Sequence, residues 1–333
     1  MIDFPIVTII MPIRNEADFI ERSLGAVLSQ DYPHDRMQVL IADGMSDDDT
    51  RDHINHLAEK SLIEITILDN PRRIVPTGMN IALQRATGDI IVRVDGHTII
   101  APDYVLQCVK ALQQSDADNV GGRMDAVGTT PLAKTIALAT SSPFGVGGAR
   151  FHYSAQKEWV DTVYMGAWWH TVFERIGKFD EEMVRNQDDE FNYRLQSQGG
   201  KILLDPNIKS KYYNRSTLKT LIRQYYQYGF YKVRVLQKHP LQMRPRQFVP
   251  PIFVFLLLIG SVLSLCGRLF LMIWLGLMFS YIIANLTASW ITMYNSENKQ
   301  LWRLPGIFAS LHLSYGLGFL HGLLAFWSRW REN

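Results

Sequence analysis

The stretch IIVRVDGHTII, from Ile90 to Ile100, starts as a run of β-branched apolar residues and then changes to an acid, a glycine and a histidine. The apolar part predicts a buried strand. Asp95 and His97 do not suit the interior of a sheet, because a buried polar side chain needs a hydrogen-bond partner, a metal ion or water. The end of this strand is therefore where the sequence first indicates a bound group.

The chain before this stretch alternates between strand and helix patterns. Short apolar runs predict strands at 6–13, 37–43, 63–69 and 89–95, and apolar residues at helical spacing predict helices at 16–30, 48–60 and 76–86. Strands that alternate with helices predict an α/β fold in which a parallel sheet carries helices on both faces.

Polar residues follow all four predicted strands. Ligands of parallel sheets bind at the carboxyl ends of the strands, so we expect these residues to form one site: Arg14, Asn15 and Glu16, then Asp43, then Asn70 to Arg73, then Asp95 and His97. No G-x-G-x-x-G follows the first strand, and no G-x-x-x-x-G-K occurs. A dinucleotide oxidoreductase and a P-loop enzyme are therefore not indicated.

Charge is distributed unevenly, although the formal net charge is only +2. Residues 1–200 hold 18 basic and 29 acidic side chains, whereas residues 201–246 hold 11 basic side chains and one acid, Asp205. Such an asymmetry predicts an anionic partner surface for the basic block.

Three long apolar segments follow the basic block. Segments 248–266 and 269–294 carry no charged residue, and segment 304–327 carries two histidines and no formal charge. Because a helix needs roughly 20 apolar residues to cross the hydrocarbon core, we predict two transmembrane helices and a third segment that either spans or lies at the interface. A buried helical domain is the alternative.

The basic block also predicts orientation. The positive-inside rule places it, and with it the first 200 residues, in the cytoplasm, where anionic lipid headgroups attract it. The first residues carry no signal-peptide pattern. Cys108 and Cys266 are not expected to pair, since the second lies in a predicted span, which indicates a reducing compartment. No nucleic-acid partner is expected.

Five segments resemble those of the family 2 glycosyltransferases, the inverting nucleotide-sugar enzymes with a GT-A fold: VTIIMPIRNE, IADGMSDDDT, GMNIALQRATGDIIVRVDGH, GAWWHTVFERIGKFDEE and NQDDEFNYRL. They occur in this order over residues 4–200. The apolar tail and LIRQYYQYGFYK further resemble the branch that acts on succinoglycan-type exopolysaccharide and other lipid-linked oligosaccharides.

The resemblance implies three parts. A catalytic GT-A domain, with a Rossmann-like, mostly parallel sheet and helices on both faces, would span residues 1–205. Basic amphipathic helices at the membrane interface would span residues 206–247, and a membrane domain of two or three transmembrane helices would span residues 248–328.

The resemblance implies a divalent ion at Asp95 and His97. The family uses Asp-x-Asp at the end of the fourth strand, where the last residue is usually the metal ligand and the first reaches the ribose or metal-bound water. This sequence has Asp-Gly-His, so His97 would be the ligand, and Mn²⁺ is favoured over Mg²⁺ because imidazole is softer than carboxylate. The alternative is that His97 hydrogen-bonds locally and the ion is held elsewhere or is absent.

The resemblance also implies residues that bind the donor. Asp43 matches the acid that accepts a hydrogen bond from uracil N3–H, which implies a UDP-sugar; a local turn or a helix cap is the alternative role of this side chain. The other donor residues would pack around the base, lie beside the diphosphate or face the donor from a helix: Pro12, Arg14 and Glu16, then Arg73, then Asn80.

NQDDEFNYRL resembles the family's Glu-Asp-x-Asp/Glu-Leu-x-x-Arg-Leu, with Gln187 in place of the glutamate. An inverting transfer needs a carboxylate that takes the proton of the acceptor hydroxyl during attack on the anomeric carbon. The alignment gives this role to Asp188. Asp189 is the competitor and is expected on the acceptor side, together with Trp168 and Trp169, of which one is expected to face the acceptor.

The function implied is a membrane-anchored inverting glycosyltransferase. It would move a hexose, glucose by the resemblance, from a UDP-sugar to a polyprenyl-diphosphate-linked saccharide at the cytoplasmic face. One alternative is a polyprenyl-phosphate sugar transferase, for which the basic block would supply cations. The other is a non-catalytic scaffold that binds nucleotide sugars, because His97 and Gln187 depart from the family pattern.

Overall fold

The computed structural model describes residues 4–214, 217–294, 296 and 301–331. The contacts within the chain divide it into two compact units. The first consists of residues 1–125 and 149–213, and the second consists of residues 126–148 and 214–333.

The described residues contain nine strands and twelve α-helices. The strands are β1 Val7–Ile13, β2 Met37–Asp43, β3 Glu64–Asp69, β4 Ile90–Arg93, β5 Thr98–Ile100, β6 Asn119–Val127, β7 Glu158–Trp159, β8 Tyr164–Trp169 and β9 Ile202–Tyr213. The helices are α1 Ile20–Leu28, α2 Thr50–Ala58, α3 Val75–Leu83, α4 Tyr104–Gln113, α5 Pro131–Thr140, α6 Pro143–Val146, α7 His170–Ile176, α8 Gln187–Ser197, α9 Leu218–Lys238, α10 Pro245–Leu263, α11 Arg268–Tyr294 and α12 Leu304–Ala325.

The first unit is built on a mixed sheet with the strand order β3-β2-β1-β4-β8-β6-β9-β5, and β7 pairs with β9. β3, β2, β1 and β4 run parallel, in a register that sets Ile13 beside Asp43 and Ile10 beside Arg93. The carboxyl ends of the four predicted strands therefore lie at one edge. The pairs β4–β8, β6–β8, β5–β9 and β7–β9 are antiparallel, and this half of the sheet was not predicted.

Helices cover both faces of this sheet, as the alternating pattern predicted. Neighbouring side chains of a strand point to opposite faces, and those of β1 belong to two different cores. Ile9 and Met11 pack with buried residues of α1, α2 and α4, whereas Ile10 packs with those of α3, α7 and α8.

The second unit contains three helices that are long and apolar enough to cross a membrane. They are Pro245–Cys266, with a mean hydropathy of 2.4, Arg268–Tyr294, with 2.0, and Leu304–Ala325, with 1.3. All three predicted apolar segments thus form long helices, and they indicate membrane association.

α9, predicted to lie at the membrane interface, packs along α12 within this unit. The helices approach closely at glycines: a Cβ atom on Gly229 would lie 2.0 Å from the Tyr315 carbonyl oxygen, and one on Gly318 would lie 2.0 Å from that of Tyr226. The Tyr226 hydroxyl also pairs with Nδ1 of His321. The place of α9 relative to a membrane stays a prediction.

Residues 126–148 belong to the second unit by their contacts, although they precede much of the first unit in the chain. Ile136 of α5 shares a buried cluster with Phe308 of α12, and Nε2 of His312 lies 2.8 Å from the Phe144 carbonyl oxygen. The sequence had assigned this segment to the catalytic domain. Residues 206–213, predicted to begin the interface helices, instead form the second half of strand β9. The domain boundaries at 205 and 247 stay predictions.

Gly318→Ala tests the close approach of α9 and α12. A methyl group there must displace the backbone of Tyr226, and overpacking of this kind costs about 1–3 kcal/mol of stability. We expect a lower midpoint of thermal unfolding for the detergent-purified protein. Gly276→Ala is the control, because its added Cβ meets no atom within 4 Å among the described residues, apart from its own neighbours in the helix. Equal midpoints for the two variants would contradict the packing.

Candidate active site

The loops after β1 and β2 are held together by hydrogen bonds. The side-chain Nδ2 of Asn15 donates to Oδ1 of Asp47 at 2.7 Å, and the backbone N–H of Asp47 donates back to Asn15 Oδ1 at 3.1 Å. The backbone N–H of Glu16 donates to the Thr50 hydroxyl at 2.8 Å. Asn15 has a φ of 53°, which asparagine tolerates better than most residues. This loop therefore has a defined shape.

Asp43, at the end of β2, is fully buried. Its Oδ1 accepts from the Ser46 hydroxyl at 2.5 Å, and its Oδ2 accepts from Nε of Arg51 at 2.6 Å. Arg51 also donates to Asp69, at the end of β3, at 2.5 Å. The local turn that was the alternative for Asp43 is therefore present, alongside an ion pair. Recognition of the base by the same carboxylate stays a prediction.

Asp95 and His97 lie in the turn between β4 and β5. Oδ1 of Asp95 accepts from Nε of Arg93 at 2.8 Å, and its Oδ2 lies 3.4 Å from the Tyr164 hydroxyl. Nδ1 of His97 lies 3.0 Å from Oε1 of Glu16. Glu16, predicted from the sequence to bind the donor, thus reaches the predicted metal ligand.

Arg93 joins this turn to the predicted base. Its side chain is 6% exposed, and Nη1 donates to Oδ1 of Asp188 at 2.5 Å while Nε holds Asp95. Asp188 lies in the first turn of α8 and keeps 37% of its side chain exposed. Arg93 was not predicted from the sequence. Its signal was a charged residue in the apolar run IIVR, which is unusual in a buried strand.

The charges of this cluster shift its pKa values. Burial raises the pKa of Asp188, Asp95 and Asp189 raise it further, and Arg93 lowers it, with a net pKa above the ordinary value. Burial lowers the pKa of Arg93, but Asp188 and Asp95 more than offset this and raise it. Arg93 therefore stays charged.

Other predicted donor residues lie in α3 and in the loop before it. Asn80 is buried, and its amide bonds to the backbone of Phe179 at 2.9 and 3.0 Å and to Oε1 of Glu181 at 2.9 Å. Arg72 pairs with the same Glu181. Arg73 is exposed, with a φ of 59°. Asn80 thus holds the 179–181 segment, and contact of these residues with the donor stays a prediction.

The two tryptophans of β8 differ in environment. Trp168 is 2% exposed, and its ring packs against Phe173, Phe179 and Phe191. Trp169 is only partly buried. The prediction that one of the pair faces the acceptor therefore rests on Trp169.

The remaining predicted residues, Pro12, Arg14 and Asp189, are partly buried or exposed. Pro12 is partly buried near the end of β1, and Arg14 is exposed in the loop that follows. Asp189 lies beside Asp188 in the first turn of α8 and is partly buried. Their roles at the donor and the acceptor stay predictions.

The donor atoms present fit an ion that arrives with a diphosphate. In the parts of the chain that the structure describes, no three His, Cys, Asp or Glu residues are placed to hold a metal ion by themselves. An ion on a nucleotide diphosphate takes one or two ligands from the protein and the others from phosphate and water. Asp95 and His97 match this requirement, and a carboxylate on the second ring nitrogen is typical of a metal-binding histidine.

Comparison with known proteins identifies the family. Residues 8–177, about half of the chain, match the sequence model of the family described as Glycosyl transferase family 2. The chain therefore belongs to this family, as the resemblance implied.

Two relatives match nearly the whole chain. The succinoglycan biosynthesis protein ExoA of Rhizobium meliloti (strain 1021) is 28% identical over 324 residues, which are 96% of this chain and 95% of that protein. The dolichyl N-acetyl-alpha-D-glucosaminyl phosphate 3-beta-D-2,3-diacetamido-2,3-dideoxy-beta-D-glucuronosyltransferase of Methanococcus voltae is 28% identical over 325 residues, which are 96% and 97% of the two chains.

A solved structure shows the same fold. The mannosyltransferase PcManGT from Pyrobaculum calidifontis, in complex with GDP-Man and Mn²⁺, superposes with a TM-score of 0.59 and 19% identity over 95% of this chain and 87% of that chain. The predicted GT-A fold followed by long apolar helices is confirmed. The protein is a glycosyltransferase of EC class 2.4 in the synthesis of surface polysaccharide or another glycan.

Arg93→Met tests the coupling between Arg93 and Asp188. Because Arg93 lowers the pKa of Asp188, its loss raises that pKa, and a higher pH is then needed to keep the base ionised. We expect the acid limb of the pH profile of kcat/KM for the donor to move to higher pH. Arg85→Met, which removes the same charge from an exposed position, is the control. An acid limb at the same pH in both variants would contradict the coupling.

Proposed function

We propose that this glycosyltransferase moves a hexose from a UDP-sugar to a lipid-linked saccharide in a single inverting displacement, with Asp188 as the general base. The observation that carries the proposal is the place of Asp188: its carboxylate is open to solvent on one side and is bonded through Arg93 to the Asp-Gly-His turn. A base in this position is next to the predicted leaving group.

In the proposed step Asp188 takes the proton of an acceptor hydroxyl. The hydroxyl oxygen forms the new bond to the anomeric carbon as the bond from that carbon to the diphosphate breaks, and UDP leaves. The raised pKa of Asp188 makes it a stronger base than an ordinary aspartate, while the charge of Arg93 favours its ionised form. Asp189 and Trp169 would contact the acceptor.

A divalent ion would be held by His97 and Asp95, with Mn²⁺ favoured over Mg²⁺ because of the imidazole. When bound, the ion neutralises the charge that develops on the leaving diphosphate. Arg93 already occupies one oxygen of Asp95, so His97 offers the more available donor atom. The similar structure of PcManGT was solved with GDP-Man and Mn²⁺, which supports the use of a divalent ion.

The donor is proposed as a UDP-sugar, and glucose as its hexose, on the family resemblance. Asp43 would accept from uracil N3–H, with its charge balanced by Arg51. Pro12 and Arg14 would pack around the base, and Arg73 would lie beside the diphosphate. The GDP-Man in PcManGT makes the nucleotide the first point to test.

The acceptor is proposed as a polyprenyl-diphosphate-linked saccharide at the cytoplasmic face of the inner membrane. The three apolar helices and the match of both relatives over nearly the whole chain support a membrane acceptor. One relative is named for succinoglycan biosynthesis, and the other carries a dolichyl sugar phosphate in its name. The basic residues of 201–246 favour the cytoplasmic side and anionic lipids.

Release of nucleoside diphosphate tests this function. The purified protein in detergent, with Mn²⁺ and a lipid extract, is given a panel of UDP-sugars and GDP-mannose. We expect turnover with one UDP-sugar and a loss of about 10²–10⁴-fold in Asp188→Asn, the usual contribution of a general base. Asp52→Asn, at an exposed position of α2, is the control.

Four outcomes would contradict the proposal. Full turnover in Asp188→Asn would remove Asp188 as the base. Turnover with GDP-mannose alone would overturn the UDP assignment, and transfer to a simple polyprenyl phosphate would favour the polyprenyl-phosphate sugar transferase. Tight nucleotide binding without turnover of any donor would favour the non-catalytic scaffold.

A further inference from the structure

The imidazole of His97 is fixed on two sides. Nδ1 lies 3.0 Å from Oε1 of Glu16, and the ring of Tyr212 meets the imidazole edge-on at a centroid distance of 5.2 Å. Among the described residues, His97 forms its side-chain hydrogen bond through Nδ1. The side chain of His97 remains 25% exposed. Nε2 is thus the ring nitrogen left for a ligand.

A carboxylate accepts hydrogen bonds and, when ionised, donates none. An imidazole whose Nδ1 faces the Glu16 carboxylate therefore carries its proton on Nδ1, and the lone pair of the neutral ring is on Nε2. Metal-binding histidines commonly have this arrangement, in which an outer carboxylate sets the tautomer and the direction of the ring.

The backbone holds Glu16 in reach of His97. The Glu16 N–H donates to the Thr50 hydroxyl at 2.8 Å, and its carbonyl oxygen accepts from the N–H groups of Phe19 and Ile20, both at 2.8 Å. The Glu16 side chain is 18% exposed. The backbone of Glu16 is therefore held by contacts that do not involve His97.

Gly96 supplies the room for this contact. A Cβ atom at position 96 would lie 2.9 Å from Cγ of Glu16 and 3.0 Å from Cγ2 of Ile13. A side chain at this position would crowd Glu16 and Ile13, so one of the two side chains would have to shift. The absence of a side chain at Gly96, the middle residue of the Asp-Gly-His turn, thus leaves space for the contact between Glu16 and His97.

We propose that Glu16 is the positioning residue of His97: it holds the imidazole with Nε2 directed to the divalent ion that arrives with the nucleotide diphosphate. This inference rests on the proposed function for the ion's presence, and it gives Glu16 a role different from the contact with the base implied by the sequence. Arg93 holds one oxygen of Asp95, so the direction of the His97 ring bears directly on how the ion is held.

Pulsed electron paramagnetic resonance of Mn²⁺ tests this role without turnover. The full chain in detergent is loaded with Mn²⁺ and UDP, and with Mn²⁺ and GDP in parallel. We expect ¹⁴N modulation from a coordinated imidazole in the wild type and its loss in His97→Ala. In Glu16→Ala we expect a weakened ¹⁴N signal and an affinity for Mn²⁺ about 10–100-fold lower, the usual effect of losing an outer-shell partner.

Three variants separate positioning from general damage. Glu16→Gln keeps a side-chain oxygen that accepts from Nδ1 and should restore most of the Mn²⁺ affinity. Gly96→Ala leaves both partners in place but crowds Glu16, and should lower the affinity as Glu16→Ala does. Glu21→Ala is the matched control, because Glu21 forms the same kind of pair with Nδ1 of His53, at 2.8 Å, outside the site.

Wild-type ¹⁴N coupling and Mn²⁺ affinity in folded Glu16→Ala or Gly96→Ala protein would overturn the proposal. It would also be overturned by a wild-type complex without ¹⁴N coupling, or by the lack of Mn²⁺ binding with either nucleotide. An intact imidazole signal in a protein that turns over no donor would instead reject the proposed function and leave the role of Glu16 standing.

Discussion

The buried ion pairs of Arg93 determine how the candidate active site is assembled. A guanidinium that is 6% exposed loses several kcal/mol of hydration, so it must be paired with charge at close distance. Asp95 and Asp188 supply that charge at 2.8 and 2.5 Å. Because one side chain must satisfy both contacts, the turn after β4 and the first turn of α8 are held together.

This constraint joins two halves of the sheet that carry different parts of the chemistry. The parallel strands present the loops with Asp43, Glu16 and His97, which are the proposed donor and metal residues. α8 packs through Phe191 against Trp168 of β8, in the antiparallel half, and presents Asp188. Glu190, in the same turn, is 2% exposed and pairs with Arg194, four residues further along the helix.

The sequence predicted the parts of the fold that depend on neighbouring residues. Four short apolar runs predicted the four parallel strands, and the polar residues after each run predicted one site at the carboxyl ends of those strands. The antiparallel half was missed because its pairs are distant in the chain; Thr98, for example, pairs with Tyr212. The same limit explains why residues 126–148, whose contacts lie with α12, were placed in the catalytic domain.

The site was predictable in its residue types but less so in its contacts. Asp95, His97 and Asp188 were identified by motif, whereas Arg93 was seen only as part of an apolar run. Glu16 was assigned to the donor. Its contact with His97 was missed because the two residues are 81 positions apart in the chain. The sequence also did not distinguish Trp168 from Trp169. The ring of Trp168 is buried against three phenylalanines that lie outside its own strand.

A double-mutant cycle between Arg93 and Asp188 tests the central interaction most directly. Thermal stability is measured for the wild type, Arg93→Met, Asp188→Asn and the double variant, in the same detergent. If the pair is formed as described, the double variant loses less stability than the two single variants together, by on the order of 1–3 kcal/mol. Additive effects of the two substitutions would show that Arg93 and Asp188 do not interact, and would contradict this account of the site.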